Sequence, residues 1–137
     1  MTQFALILAF ILPLCGTAPL QGTSVPTLVP KDKKEITIYY FHTSRRCKTC
    51  KSIERVAKTV VTERYGKDKS ITFRAVNIEE KKNEALAEQY EIGGSALLVV
   101  HGDQITDLTA KAFLYGLNDP GKLQELLIET IDTLRKG

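Results

Sequence analysis

The sequence predicts an α/β domain built around a central sheet. Runs rich in β-branched and aromatic residues, typical of buried strands, occur at 36–41, 71–76 and 96–100. Between the first two runs, apolar residues recur at helical spacing over 53–61. The turn-forming sequence His101-Gly102-Asp103 follows the third run and predicts a hairpin. Strands that alternate with helices and end in a hairpin are typical of the α/β class.

The first half of the domain contains two predicted strands and one helix. Thr43 or Ser44 is suited to cap the helix after the first strand, and Gly66 is suited to end it. The second strand is 71–76. The buried face of the helix is predicted to hold Ile53, Val56, Ala57, Val60 and Val61.

The second half adds a short helix, the hairpin and a final helix. Asn83 is suited to cap the short helix, which covers 85–90, and a fourth strand is predicted at 104–109. Asp119-Pro120 combines a capping residue with proline at the first helical position and predicts the start of the last helix. Its buried face is predicted to hold Leu123, Leu126, Leu127, Ile131 and Leu134.

The predicted order is therefore β-α-β-α-β-β-α, with a central mixed sheet flanked by helices. Helical connections between strands predict parallel pairs, and the hairpin adds an antiparallel edge.

Length and composition exclude several classes of protein. A chain of 137 residues allows one domain, and 26% charged with 43% hydrophobic residues excludes a disordered tail or a polytopic membrane protein. Three cysteines are too few for a disulfide scaffold, and a net charge of +3 does not indicate nucleic-acid binding. The sequence has no GxGxxG or phosphate-binding loop, so we expect no nucleotide, flavin or other cofactor.

The first 30 residues contain no charged side chain and differ in kind from the rest. Their apolar run, 4–15, would reach about 18 Å as a helix, which is short of a membrane core but typical of a signal peptide. We predict a signal peptide or membrane anchor at 1–24, a linker at 25–33 and the folded domain at 34–137. Lipidation at Cys15 is the other alternative, although Leu14 departs from the lipoprotein pattern.

The motif Cys47-Lys48-Thr49-Cys50 lies directly after a strand and opens a helix. Free backbone N–H groups and the helix dipole at that position favour a thiolate, so Cys47 is expected to be the activated nucleophile. Cys50, one turn further, would be the resolving thiol. Four cations surround the pair and are expected to lower the thiol pKa or to recruit an anionic partner, namely Arg45, Arg46, Lys48 and Lys51.

Two other interpretations of the cysteines remain open. With His42 and His101 they could supply four metal ligands. They could instead form a structural disulfide in a recognition domain.

Residues 34–135 resemble the thioredoxin superfamily. The resemblance covers the first strand, the CxxC motif opening a helix, the stretch Val76-Asn77-Ile78-Glu79-Glu80, and the third strand after Gly93-Gly94. It implies a thioredoxin-like fold and dithiol–disulfide exchange with protein substrates. Cys47 matches the attacking cysteine of the family, and Cys50 matches its resolving cysteine.

Three departures from the family pattern concern the site. The family's cis-proline before the third core strand is replaced by Ser95 or Ala96, where we expect a trans peptide bond, and this replacement could leave room for a metal ion. Arg46 stands where the family usually has tryptophan. The first strand lacks the family's buried acid, so His42 is a candidate proton acceptor for Cys50.

Together these features predict an exported thiol–disulfide oxidoreductase, periplasmic or extracytoplasmic, that acts on protein thiols or disulfides. The alternative is a metal-binding or metal-delivery module that uses Cys47 and Cys50. We expect a monomer without a nucleic-acid partner, with membrane attachment only through the N-terminal segment.

Overall fold

A computed structural model of the chain describes residues 34–137. The predicted signal peptide, linker and Cys15 lie outside the described residues. The strands are β1 (Ile36–His42), β2 (Ile71–Asn77), β3 (Ala96–His101) and β4 (Gln104–Asp107). The helices are α1 (Lys48–Thr59, continued by a π-helical turn, Val60–Arg64), α2 (Glu84–Gln89, after a 3₁₀ turn, Lys81–Asn83), α3 (Thr109–Tyr115) and α4 (Pro120–Lys136). None of these helices is long and apolar enough to cross a membrane.

The four strands form one mixed sheet in the order β2-β1-β3-β4. β1 pairs with β2 in parallel and with β3 antiparallel, and β4 is antiparallel to β3. The prediction of a mixed sheet with helical crossovers is confirmed, and the arrangement is thioredoxin-like. The expectation that a helix between strands gives a parallel pair holds for β1 and β2 but is wrong for β3. The connection through α2 carries the chain to the far side of β1, where β3 runs in the opposite direction.

Helices cover both faces of the sheet, so the central strand β1 is buried on both sides. Its alternate residues Ile38 and Tyr40 face a core shared with α1, α3 and α4. Tyr39 and Phe41 face a second, smaller core that includes Leu86 of α2. This double burial explains why β1 is almost continuously apolar instead of alternating with polar residues.

The helix α3 was missed by sequence reasoning, which extended the fourth strand to Thr109. β4 ends at Asp107, whose Oδ1 accepts a hydrogen bond of 2.8 Å from the Thr109 backbone N–H. Within α3 only Ala112 is buried, whereas Leu114 is 59% exposed. The apolar residues of this helix therefore do not form the single stripe by which an amphipathic helix is recognised.

The start of α4 is confirmed at Pro120, and the predicted cap is present. Asp119 Oδ1 accepts a hydrogen bond of 3.0 Å from the Lys122 backbone N–H. Asn83 occupies the position before α2, but its side chain makes no capping hydrogen bond; its Nδ2 donates to the Asn77 carbonyl at 2.8 Å.

Candidate active site

The two cysteines lie where β1 ends and α1 begins. Cys47 is the cap residue of α1, with extended backbone angles (φ −77°, ψ 171°), and its Sγ accepts a hydrogen bond of 3.2 Å from the Cys50 backbone N–H. The expectation that Thr43 or Ser44 caps this helix is wrong. A sulfur atom takes the place of the usual cap oxygen, which puts it directly at the free N–H groups of the helix.

Thr43 and Ser44 instead hold the loop between β1 and Cys47. Thr43 Oγ1 donates to the Arg45 carbonyl at 3.0 Å. The Ser44 backbone N–H donates to Glu79 Oε2 at 2.9 Å, and Ser44 Oγ accepts from Asn77 Nδ2 at 3.0 Å. Hydrogen bonding from Ser44 lowers the pKa of Glu79. The loop is thus tied to the end of β2 by residues from the stretch that carried the family resemblance.

The two thiols differ sharply in accessibility. Both are free, but Cys47 is exposed whereas Cys50 is 8% exposed and belongs to the larger core. The Cys47 sulfur is therefore accessible from solvent, whereas Cys50, three residues further along the chain, is buried in the first turn of α1.

Hydrogen bonds lower the pKa of the Cys47 thiol. The largest contribution comes from the Cys50 side chain, followed by the Cys50 backbone N–H. Desolvation opposes them, and the Thr49 backbone N–H adds a lesser lowering contribution. These bonds stabilise the thiolate more than the thiol. The role of the four cations in tuning this pKa stays a prediction.

The four basic residues near the motif do not form a uniform rim. Arg46 is half-buried, pairs with Glu54 of α1, and has its guanidinium carbon 5.9 Å from the centre of the Tyr40 ring. The other three basic side chains are exposed, namely Arg45, Lys48 and Lys51. Arg46 therefore acts within the fold, whereas the other three face solvent.

The lowered pKa of Cys47 leads to a test by alkylation. We expect the iodoacetamide rate of Cys47 to rise with pH around a midpoint below about 8.5, the ordinary thiol value. Cys50→Ala should raise that midpoint because it removes the largest cause of the lowering. Cys50→Ser keeps a side-chain donor and is the matched control. An unchanged midpoint in Cys50→Ala would contradict the assignment.

Folding also lowers the pKa of Cys47. The reduced protein should therefore lose the associated stability as pH falls through the pKa that Cys47 has in the folded state.

The structure does not assemble the four-ligand metal set suggested by the sequence. His42 lies next to the motif, with Nδ1 3.0 Å from the Thr43 carbonyl oxygen and its ring stacked on Tyr40 at 5.9 Å. His101 pairs with Ile36 at the opposite end of β1. At the rise per residue of a strand, this end lies about 20 Å from His42. Within residues 34–137, no three side chains of His, Cys, Asp or Glu are grouped as metal ligands would be.

Ser95 and Ala96 lie at the same end of the sheet as the cysteines. Ala96 is in register with Phe41, near the end of β1, and is buried. No peptide bond in residues 34–137 is cis, so the bond before Ala96 is trans, as predicted.

Tyr40 is the residue near the site that sequence reasoning treated only as core. Its side chain is fully buried on the face of β1 that packs against α1. Within the described part of the chain, no group meets its hydroxyl with good hydrogen-bond geometry. The sequence shows that this apolar strand carries a hydroxyl at Tyr40, but it does not show that Cys50 packs into the same core.

Comparisons with known proteins assign no family. No protein-family model matches the chain, and no curated protein matches it. The chain is similar to a solved structure described as "Structure of a malarial protein", with 17% identity over 58% of this chain and 93% of that chain, at a TM-score of 0.42.

Proposed function

We propose that this protein is a thiol–disulfide oxidoreductase that acts through the Cys47–Cys50 pair on protein thiols or disulfides. One observation supports the proposal most directly. An exposed, hydrogen-bonded sulfur with a lowered pKa stands at the start of α1, and a second thiol is buried one turn behind it. That asymmetry separates a nucleophile from a resolving thiol.

The proposed reaction has two exchange steps. The Cys47 thiolate attacks one sulfur of a substrate disulfide, forming a mixed disulfide and releasing the other substrate sulfur as a thiolate, which takes up a proton. Cys50 then attacks Cys47, so the Cys47–Cys50 bond forms, the mixed disulfide breaks, and the second substrate thiol leaves. The substrate gains two electrons and two protons, and the protein dithiol is oxidised. The reverse sequence oxidises a substrate dithiol.

The hydrogen bonds at Cys47 favour an oxidising potential. They stabilise a thiolate that exists only in the reduced protein, so they stabilise the reduced form relative to the disulfide. We further propose that export through the N-terminal segment places the domain in a compartment where disulfides persist.

The surface beside Cys47 supports the choice of substrate. Three exposed cations lie within four residues of its sulfur, namely Arg45, Lys48 and Lys51. They favour protein partners that carry acidic residues next to the exchanging cysteine, and they should make the association rate depend on salt.

The reduction potential is the direct test. The metal-free chain with Cys15→Ser would be equilibrated in glutathione buffers, alkylated and weighed, so that only Cys47 and Cys50 report. We expect a reversible two-electron transition between about −270 and −120 mV. No disulfide at any potential, with metal that protects both thiols from alkylation, would favour the metal-binding alternative. A bond that stays oxidised far below this range would make the pair structural.

A further inference from the structure

The buried hydroxyl of Tyr40 needs an explanation that packing does not provide. The side chain is fully buried within the core that also holds Cys50, and the hydroxyl oxygen is out of contact with solvent. A buried hydroxyl without a good partner destabilises the folded state, and phenylalanine would fill the same space without that cost. Such a group calls for a functional reason.

The polar surroundings of this hydroxyl belong to the proposed active site. Cys50 is the side chain whose charge acts on it most strongly, and the two residues belong to the same core. Cys47 and Arg46 act on it through charge, and the ring of His42 stacks on the Tyr40 ring. The hydroxyl therefore lies in the buried core that also holds the resolving thiol.

The protonation state of Tyr40 restricts what it can do. Burial, reinforced by the charge of Cys50, raises its pKa well above the ordinary value for tyrosine. It keeps its proton at every pH at which the protein would work. It can donate a hydrogen bond, but it cannot act as the base that removes the Cys50 proton.

We propose that Tyr40 is the positioning residue for Cys50, and that its hydroxyl donates a hydrogen bond to the Cys50 sulfur as that sulfur becomes a thiolate in the resolving step. The inference rests on the proposed disulfide exchange. Tyr40 is then a neutral hydrogen-bond donor buried near the second cysteine, and its strand contains no carboxylate.

The groups already named account for every bond and proton in the resolving step. The Cys50 S–H bond breaks and its sulfur attacks Cys47, so that the Cys47–Cys50 bond forms as the bond from Cys47 to the substrate sulfur breaks. The substrate sulfur leaves with the electron pair and ends as a thiol, which accounts for the proton lost by Cys50. Tyr40 keeps its own proton throughout.

The test is Tyr40→Phe, which removes one oxygen atom and keeps the ring. Reduced protein would be mixed with excess glutathione disulfide, and the mixed disulfide on Cys47 would be followed by rapid acid quenching and mass. We expect the mixed disulfide to form at the wild-type rate and to resolve about tenfold more slowly, because a hydrogen bond to a charged sulfur is lost.

Tyr39→Phe is the matched control. Tyr39 is the adjacent residue, is equally buried, and stacks on Phe41 at 5.7 Å on the opposite face of the sheet. Both variants lose a hydroxyl from a buried tyrosine and keep the ring, so a general effect on packing should appear in both. Only Tyr40→Phe should slow the resolving step.

Rescue by a conservative variant is the second readout. 3-Fluorotyrosine at position 40 keeps the hydroxyl and should resolve the mixed disulfide at about the wild-type rate. This variant also covers the case in which Tyr40→Phe folds poorly.

The outcomes separate this inference from the function on which it rests. Wild-type protein that forms no mixed disulfide and no Cys47–Cys50 bond would overturn the proposed function. Wild-type exchange with unchanged resolution of the mixed disulfide in Tyr40→Phe would overturn only the role of Tyr40.

Discussion

Replacing Cys47 by serine is expected to abolish disulfide exchange, with a loss of about a thousandfold or more in rate. The serine hydroxyl cannot form a bond to sulfur of the kind that exchange requires. Cys50 cannot substitute, because it is 8% exposed and lies on the buried side of the first turn of α1. The measurement is the rate at which reduced protein cleaves glutathione disulfide.

Cys50→Ser is the matched control for this prediction. It removes the buried thiol, leaves the Cys47 nucleophile and keeps a side-chain donor near it. This variant should complete the first step and then accumulate the mixed disulfide on Cys47. Retained turnover in Cys47→Ser would contradict the proposed function, since no other described cysteine exists.

Replacing Leu127 by alanine is expected to lower the free energy of unfolding by about 3 kcal/mol. Leu127 is fully buried on α4, in the core that also contains Ile53 of α1 and Tyr40 of β1. Truncation removes buried apolar contacts and leaves a cavity that the rigid sheet cannot close. Urea denaturation of the reduced protein measures the change.

Glu125→Ala, at an exposed position on the same helix, is the control for helix propensity and should change the unfolding free energy by less than about 0.5 kcal/mol. Equal losses of unfolding free energy from the two substitutions would contradict the position of Leu127 in the core. Because α1 carries both cysteines and packs on this core, Leu127→Ala should also loosen the site.

Features with local causes were predicted well. β1, β2 and β3 lie where β-branched and aromatic runs occur, and α4 begins at Pro120. The placement of the CxxC motif between β1 and α1 followed from neighbouring residues alone. These features depend on side-chain propensity, on capping chemistry and on a periodicity that spans a few residues.

Features that depend on distant partners were predicted poorly. β3 runs antiparallel to β1 because the segment through α2 returns the chain to the sheet at the same end at which β2 leaves it, and no local pattern records this. Thr43 and Ser44 do not cap α1, since Arg45 and the end of β2 engage them instead. α3 was missed because its burial depends on α1, α4 and the sheet rather than on an apolar stripe of its own.

The same division holds at the site. The residue order was enough to place two cysteines at a helix start and to predict which one attacks, because both depend on one turn of helix. Only the tertiary structure packed Tyr40 and Cys50 into one core, paired Arg46 with Glu54, and placed His101 at the far end of the sheet. The alternation of a strand assigns Tyr39 and Tyr40 to opposite faces, but it does not say which face α1 will cover. That choice is made by long-range packing, when the sheet is sandwiched between its helices.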